Sequence, residues 1–138
     1  MADGDNACIA FFDGGVDITA KAEAAVTGKR FVQISDPQEG PALMGLDTTA
    51  DGGLIKVSHA TAAGAVLGVA SYDAGIGSRL YVIRGKKVVP VKTAGNLTAG
   101  QEVEVGANGQ AVVLASGKAV GIALDTTTSG DDCPIALY

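Results

Sequence analysis

Short apolar runs cut by glycine fill the chain from residue 31 onward. FVQI (31–34), GLIKV (53–57), AVLGVAS (65–71), RLYVI (79–83), KVVPV (87–91), EVEV (102–105), QAVVL (110–114), AVGIAL (119–124) and CPIALY (133–138) follow one another at strand-like intervals. That spacing predicts an all-β fold, a small glycine-rich β-barrel or sandwich with short hairpins and at most one short helix. The clearest hairpin is EVEVGANGQAVVL (102–114). There Glu102 and Glu104 alternate with Val103 and Val105, and Asn108-Gly109 suits the two positive φ angles of a type I′ turn. Upstream, VDITAKAEAAV (16–26) alternates Ile18, Ala20, Ala22, Ala24 and Val26 with Thr19, Lys21 and Glu23. This is strand period, and it is read as a strand although its alanines favour helix. SHATAAGA (58–65) fits one helical turn or a loop, and Arg84-Gly85-Lys86-Lys87 reads as a hairpin tip. Residues 16–138 are expected to form a single β domain, with 1–15 an N-terminal arm or extended segment.

A small motif recurs within this pattern: glycine, two residues, an apolar residue, then usually another apolar residue two places on. It occurs at Gly28…Phe31, Gly77…Leu80, Gly100…Val103 and Gly130…Cys133. Each copy predicts a glycine turn, two polar residues and the start of a strand. A longer echo sets Gly68-Val69-Ala70 and Gly77 against Gly121-Ile122-Ala123 and Gly130, 53 residues later. Two hairpins in related places of the fold are expected from it.

Composition narrows the function classes. The 138 residues are 47% hydrophobic but only 4% aromatic, with 20 glycines and no Trp. Ala and Val supply most of the apolar content, which suits thin layers and short strands. A net charge of −5 disfavours a phosphate backbone as partner, so no nucleic acid is expected. No stretch approaches the roughly 18 apolar residues of a membrane span. The opening MADGDNACIAFFDGG lacks the basic and apolar regions of an export signal, so synthesis in the cytoplasm is expected, and free thiols at Cys8 and Cys133 are favoured over a Cys8–Cys133 bridge, which stays open at this point.

Catalytic constellations are sparse. His59 is the single histidine, and neither an HExxH nor a zinc-type Cys/His spacing is present. No G-x-S-x-G elbow accompanies His59, which is read as a polar residue at a strand-to-loop junction. Gly75-Ile76-Gly77 lacks the third glycine of a dinucleotide loop, and Asp3-Gly4-Asp5-Asn6 lacks the distal glutamate of a calcium loop. The acidic tail holds Asp125, Asp131, Asp132 and Cys133. Asp131 and Asp132 fill the two polar slots taken elsewhere by Lys29-Arg30, Ser78-Arg79 and Gln101-Glu102. Positions that accept cation, neutral and anion alike are strand-start residues facing water. The alternative, weak binding of a hard cation by the three carboxylates, stays open at this point. No enzyme activity, cofactor or resident metal is expected.

With these segments in order, the chain resembles the head decoration, or capsid cement, proteins of tailed bacteriophages. The resemblance covers about Ala24 to Tyr138. It rests on AAVTGKRFVQIS, then VSHATAAGAVLGVASYDAGIGSRLYVI, then VVPVKTAGNLTAGQEVEVGANGQAVVLASGKAVGIAL. It implies a β-rich structural protein, β-tulip-like forms included, on the outer surface of an icosahedral head. It also implies binding to the major capsid protein, bridging of capsid subunits and a homotrimer. It implies no catalytic residues. A second class, a virion-displayed module for carbohydrate or host surface, is weakened by the scarcity of aromatic rings. The first 15 residues match the family least, yet Ile9, Phe11 and Phe12 gather there two of the three phenylalanines. These three are the candidate capsid or inter-subunit contacts. An arm adding to a capsid strand, or a terminal strand within this domain or across a trimer interface, would each employ them.

Overall fold

The computed structural model describes residues 17–37 and 54–138. Among these lie ten strands: β1 (Ile18–Ala22), β2 (Phe31–Asp36), β3 (Ile55–His59), β4 (Gly68–Ala70), β5 (Arg79–Ile83), β6 (Val88–Lys92), β7 (Glu102–Val105), β8 (Ala111–Val113), β9 (Gly121–Ala123) and β10 (Asp132–Leu137). The all-β expectation holds, and every apolar run above carries one of these strands. VDITAKAEAAV contains β1, so alternation prevails over alanine propensity. The 58–65 stretch is the end of β3 followed by a loop, with Ala63 at φ 56°. The 102–114 hairpin forms as expected: Asn108 and Gly109 take φ 55° and 70°, and the Gln110 amide donates to Ala107 O at 3.2 Å.

The strands divide into two groups. β1-β3-β2-β4-β5 close into a barrel, and β6-β10-β9-β7-β8 form a second five-stranded sheet. The two share one topology. β1 pairs β5 as β6 pairs β10, β4 lies between β5 and β2 as β9 lies between β10 and β7, and β2 pairs β3 as β7 pairs β8. The remaining neighbours β1 and β3 are parallel, and their counterpart in the second half is the single parallel bridge Thr93↔Ala111, with Thr93 just past the end of β6.

Individual hydrogen bonds repeat as well. The Ala22 and Thr93 amides donate to Ser78 O and Asp131 O; those of Lys29 and Gly100 donate to Ala70 O and Ala123 O. Even a side chain recurs, because Gln33 Oε1 accepts from the Thr61 amide and Glu104 Oε1 from the Ala115 amide. A Cβ on Gly68 would stand 2.7 Å from Val82 Cγ1, and one on Gly121 the same distance from Ile135 Cγ2. Those glycines let the hairpin strands cross closely in both halves. The echo at 53 residues is the sequence trace of this duplication. One detail of the motif alignment is corrected: Lys29 (φ 63°), not Gly28, stands where Gly100 (φ 89°) stands. Gly28 is small for another reason, since its Cβ would lie 2.9 Å from Tyr72 Cα.

A second correction concerns Arg84-Gly85-Lys86-Lys87. β5 and β6 belong to different sheets, so this segment is the connector between the halves and no hairpin tip.

The halves are fastened at an open seam. β1 and β3 pair over Ala20–Ala22, but in the second half the chain meets β8 only at Thr93, one residue past β6. Pro90, on β6 opposite Pro134 of β10, has no N–H to extend that ladder. The first half occupies the gap. The Lys92 amide donates to Lys29 O at 2.8 Å, the Gly109 amide to Ala60 O at 2.8 Å and the Ala63 amide to Val105 O at 2.9 Å. Phe31, Ala60 and Val69 of the first half pack into one apolar cluster with Val91, Val103 and Ile135 of the second. This explains why β2 buries two neighbours in succession: Val32 faces its own barrel and Phe31 the other core.

Candidate interaction surfaces

His59, at the end of β3, accepts the Thr27 amide on Nε2 at 2.8 Å. That lone pair is engaged in tying the β1–β2 connection to β3. Burial, aided by the Arg30 cation, lowers its pKa below the usual 6.5. The geometry is that of a neutral structural histidine at a strand-to-loop junction.

The acidic tail separates into unrelated contacts. Asp125 Oδ1 accepts the Thr126 amide at 2.8 Å, Asp131 Oδ2 the Thr128 hydroxyl at 2.8 Å, and Asp132 Oδ2 pairs with Lys29 Nζ at 2.8 Å. Cys133 is fully buried with a free thiol. Among the described residues no three His, Cys, Asp or Glu side chains converge as metal ligands. The carboxylates serve turn geometry and one ion pair across the junction of the halves. Ile9, Phe11, Phe12 and Cys8 lie outside the described residues.

Two clefts flank the junction. One, of about 640 Å³, brings Lys29, Arg30 and Lys92 beside Asp73 and Asp132. Asp132 is paired to Lys29, Asp73 Oδ1 accepts the Gly28 amide at 2.8 Å, and Arg30 Nη1 donates to Asn108 O at 3.2 Å. Of the cleft's charges, Lys29, Arg30 and Asp132 are thereby engaged across the junction, and Asp73 within the first half. The other, of about 340 Å³, is lined mainly by apolar groups including Val66, Val120 and Leu137, with Arg84 and Lys118.

The duplication exposes a third feature. The β4–β5 hairpin presents Tyr72, Ile76 and Tyr81, which are 44%, 76% and 55% exposed. Tyr72 and Tyr81 meet edge to face, 6.1 Å between centroids and 84° between planes. Fifty-three residues on, the β9–β10 hairpin carries Asp125, Ser129 and Pro134 at these places. Two hairpins of one architecture thus differ in surface chemistry at these three places, two tyrosines and an isoleucine on the first against an aspartate, a serine and a half-buried proline on the second, where Leu124 is the large apolar side chain left exposed. Since both halves fold, the fold does not require an apolar surface there. A paired set of aromatic rings with an isoleucine on the same hairpin, facing water where the other copy carries Asp125 and Ser129, marks a candidate contact face. Sequence reasoning passed over these three residues, although the 53-residue echo already aligned Tyr72 with Asp125 and Ile76 with Ser129.

Comparison with known proteins follows the same direction. A family model described as phage cement protein matches residues 12–137, which takes in all ten strands. Among solved structures, the N base of the head fiber gp8.5 of bacteriophage phi29 superposes with a TM-score of 0.70 at 20% identity. The match covers 89% of this chain and 93% of that one. At such identity the likeness is one of fold. A comparison with curated proteins gives no match.

Proposed function

The chain belongs to the phage cement protein family, and from that premise we propose that it decorates the outer surface of an icosahedral phage head and bridges neighbouring subunits of the major capsid protein. Family membership makes it a structural, capsid-associated component of the virion. The finer reading is carried by the Tyr72–Ile76–Tyr81 surface, which the duplicated hairpin lacks. Aromatic residues bury about 150–250 Å² each, so this patch seeds an interface that needs roughly 800 Å² per partner.

A cement must transmit force between the subunits it joins. Three main-chain hydrogen bonds and the Phe31 side chain couple the halves, which favours a stiff two-part wedge over a hinged one. A trimer is favoured as the bound form, because the first attached subunit raises the local concentration of the other two. Ile9, Phe11 and Phe12 are proposed as a further contact, to capsid or to a neighbouring subunit. The glycan-binding alternative gains little from Tyr72 and Tyr81, since rings set edge to face offer no flat stacking platform.

The test mixes purified protein with expanded capsids lacking it and measures stoichiometry. Saturable binding at a fixed number of sites supports the reading; no binding, with a glycan array positive, replaces it with the alternative.

A further inference from the structure

We infer that the 340 Å³ cleft at the junction is the docking site of this chain's own N-terminal segment, with Ile9, Phe11 and Phe12 against its apolar lining and the flanking aspartates near Arg84 and Lys118. The inference stands apart from capsid binding, because it concerns the free subunit.

Three observations carry it. The first is where the chain enters. β1 runs antiparallel to β5 with Ile18 opposite Val82, and β5 continues from Ile83 into Arg84 and Gly85, both of which line the cleft. Asp17 is tied to Lys87 on the same connector, Oδ1 to Nζ 2.7 Å. Asp17 is thereby anchored to the connector that supplies Arg84 and Gly85 to the cleft. Residues 9–12 stand five to eight places upstream, an extended reach of about 17–28 Å, ample for a site that starts beside the attachment point.

The second is chemistry. Residues 1–16 contain Asp3, Asp5 and Asp13 and none of the chain's ten Lys and Arg, and Asp5 and Asp13 bracket the apolar cluster. The cleft offers the complement: Val66, Val120, Leu137 and Tyr138 for the apolar side chains, Arg84 and Lys118 for the carboxylates. The third is tethering. A short covalent tether gives an effective concentration of about millimolar, which places a second copy at a disadvantage in dilute solution. Contact of the same residues with a capsid or a neighbouring subunit would then exchange one apolar partner for another.

The chain has no Trp, so Phe12→Trp in the full-length protein installs a single reporter. The expected emission is blue-shifted, shielded from a neutral quencher and unchanged with protein concentration. Adding Val66→Arg should move it to the red. Because Val66 also packs against the shared core, the exposed Lys118→Glu serves as a second variant that leaves the fold intact, with circular dichroism and the urea midpoint as controls. Lys118→Glu should shift the emission in the same direction, and Asp13→Lys should reverse that shift. Solvent-like emission at every concentration overturns the inference. So does a blue shift that appears only as concentration rises, which would place the segment in a second copy. A blue shift indifferent to both cleft variants overturns it too, since Phe12 would then be buried elsewhere.

Discussion

Phe31→Ala removes the side chain that joins the two halves. Phe31 is 0% exposed and contributes to the apolar cluster it shares with Val91, Val103 and Ile135 across the seam. Truncating a buried phenylalanine costs about 3–5 kcal/mol, transfer and cavity together. Against a typical total of 5–15 kcal/mol, that is a large fraction of the stability. At this size the midpoint temperature should fall by about 10–20 °C. The duplication supplies an internal control. Glu102 occupies the equivalent place on β7, is exposed, and faces no third sheet. Glu102→Ala should change stability by no more than about 0.5 kcal/mol. Urea denaturation followed by circular dichroism measures both. Beyond the lowered midpoint, Phe31→Ala should broaden the transition and lower the apparent m-value, because the second core can open before the closed first barrel. A loss below about 1 kcal/mol for Phe31→Ala, or equal losses for the two variants, would refute the seam as the fastening.

Other outcomes follow from the same structure. Gly109→Ala should destabilise strongly, by about 2 kcal/mol or more, because a Cβ there meets Phe31 O in a left-handed conformation; Gly77→Ala, left-handed in open space, should cost only about 1–2 kcal/mol, and urea midpoints compare them. His59 has its folded pKa lowered by burial and by Arg30, so below pH 6.5 the unfolded chain binds the extra proton first. Stability should be flat above that value and decline as pH falls toward the folded pKa, and His59→Gln should flatten the decline in midpoints taken from pH 5 to 8. Replacing Tyr72, Ile76 and Tyr81 by Asp, Ser and Pro, the residues of the second hairpin, should abolish sedimentation with bare capsids while shifting the urea midpoint little; retained binding would remove the patch from the contact.

Strand content was legible because alternation and glycine punctuation are local signals. The type I′ turn at Asn108-Gly109 was legible for the same reason. What escaped was relational. The connector at Arg84–Lys87 has the polar, glycine-bearing composition of any hairpin tip, and only sheet membership separates the two. Lys29 hid its correspondence to Gly100 because a lysine in the left-handed region carries no sequence mark. Gly28 beside it invited alignment one place out of register. Phe31 reads as a core residue of its own strand, whereas its partner core lies beyond Val88. For the surface, Tyr72 and Ile76 are unremarkable singly. They become informative against Asp125 and Ser129, once the halves are known to be copies. The C-terminal carboxylates show the converse, since proximity in sequence suggested a shared site and the turn geometry distributes them to separate partners.

The central claim is mechanical, that this protein of one closed barrel and one open five-stranded sheet strengthens a phage head by bridging its subunits. It is tested most directly by the thermal rupture temperature of expanded capsids, measured bare and saturated with the protein. The account predicts a rise with occupancy that plateaus at saturation and is lost with the Tyr72, Ile76 and Tyr81 replacements. Saturated capsids that rupture at the temperature of bare ones would contradict it.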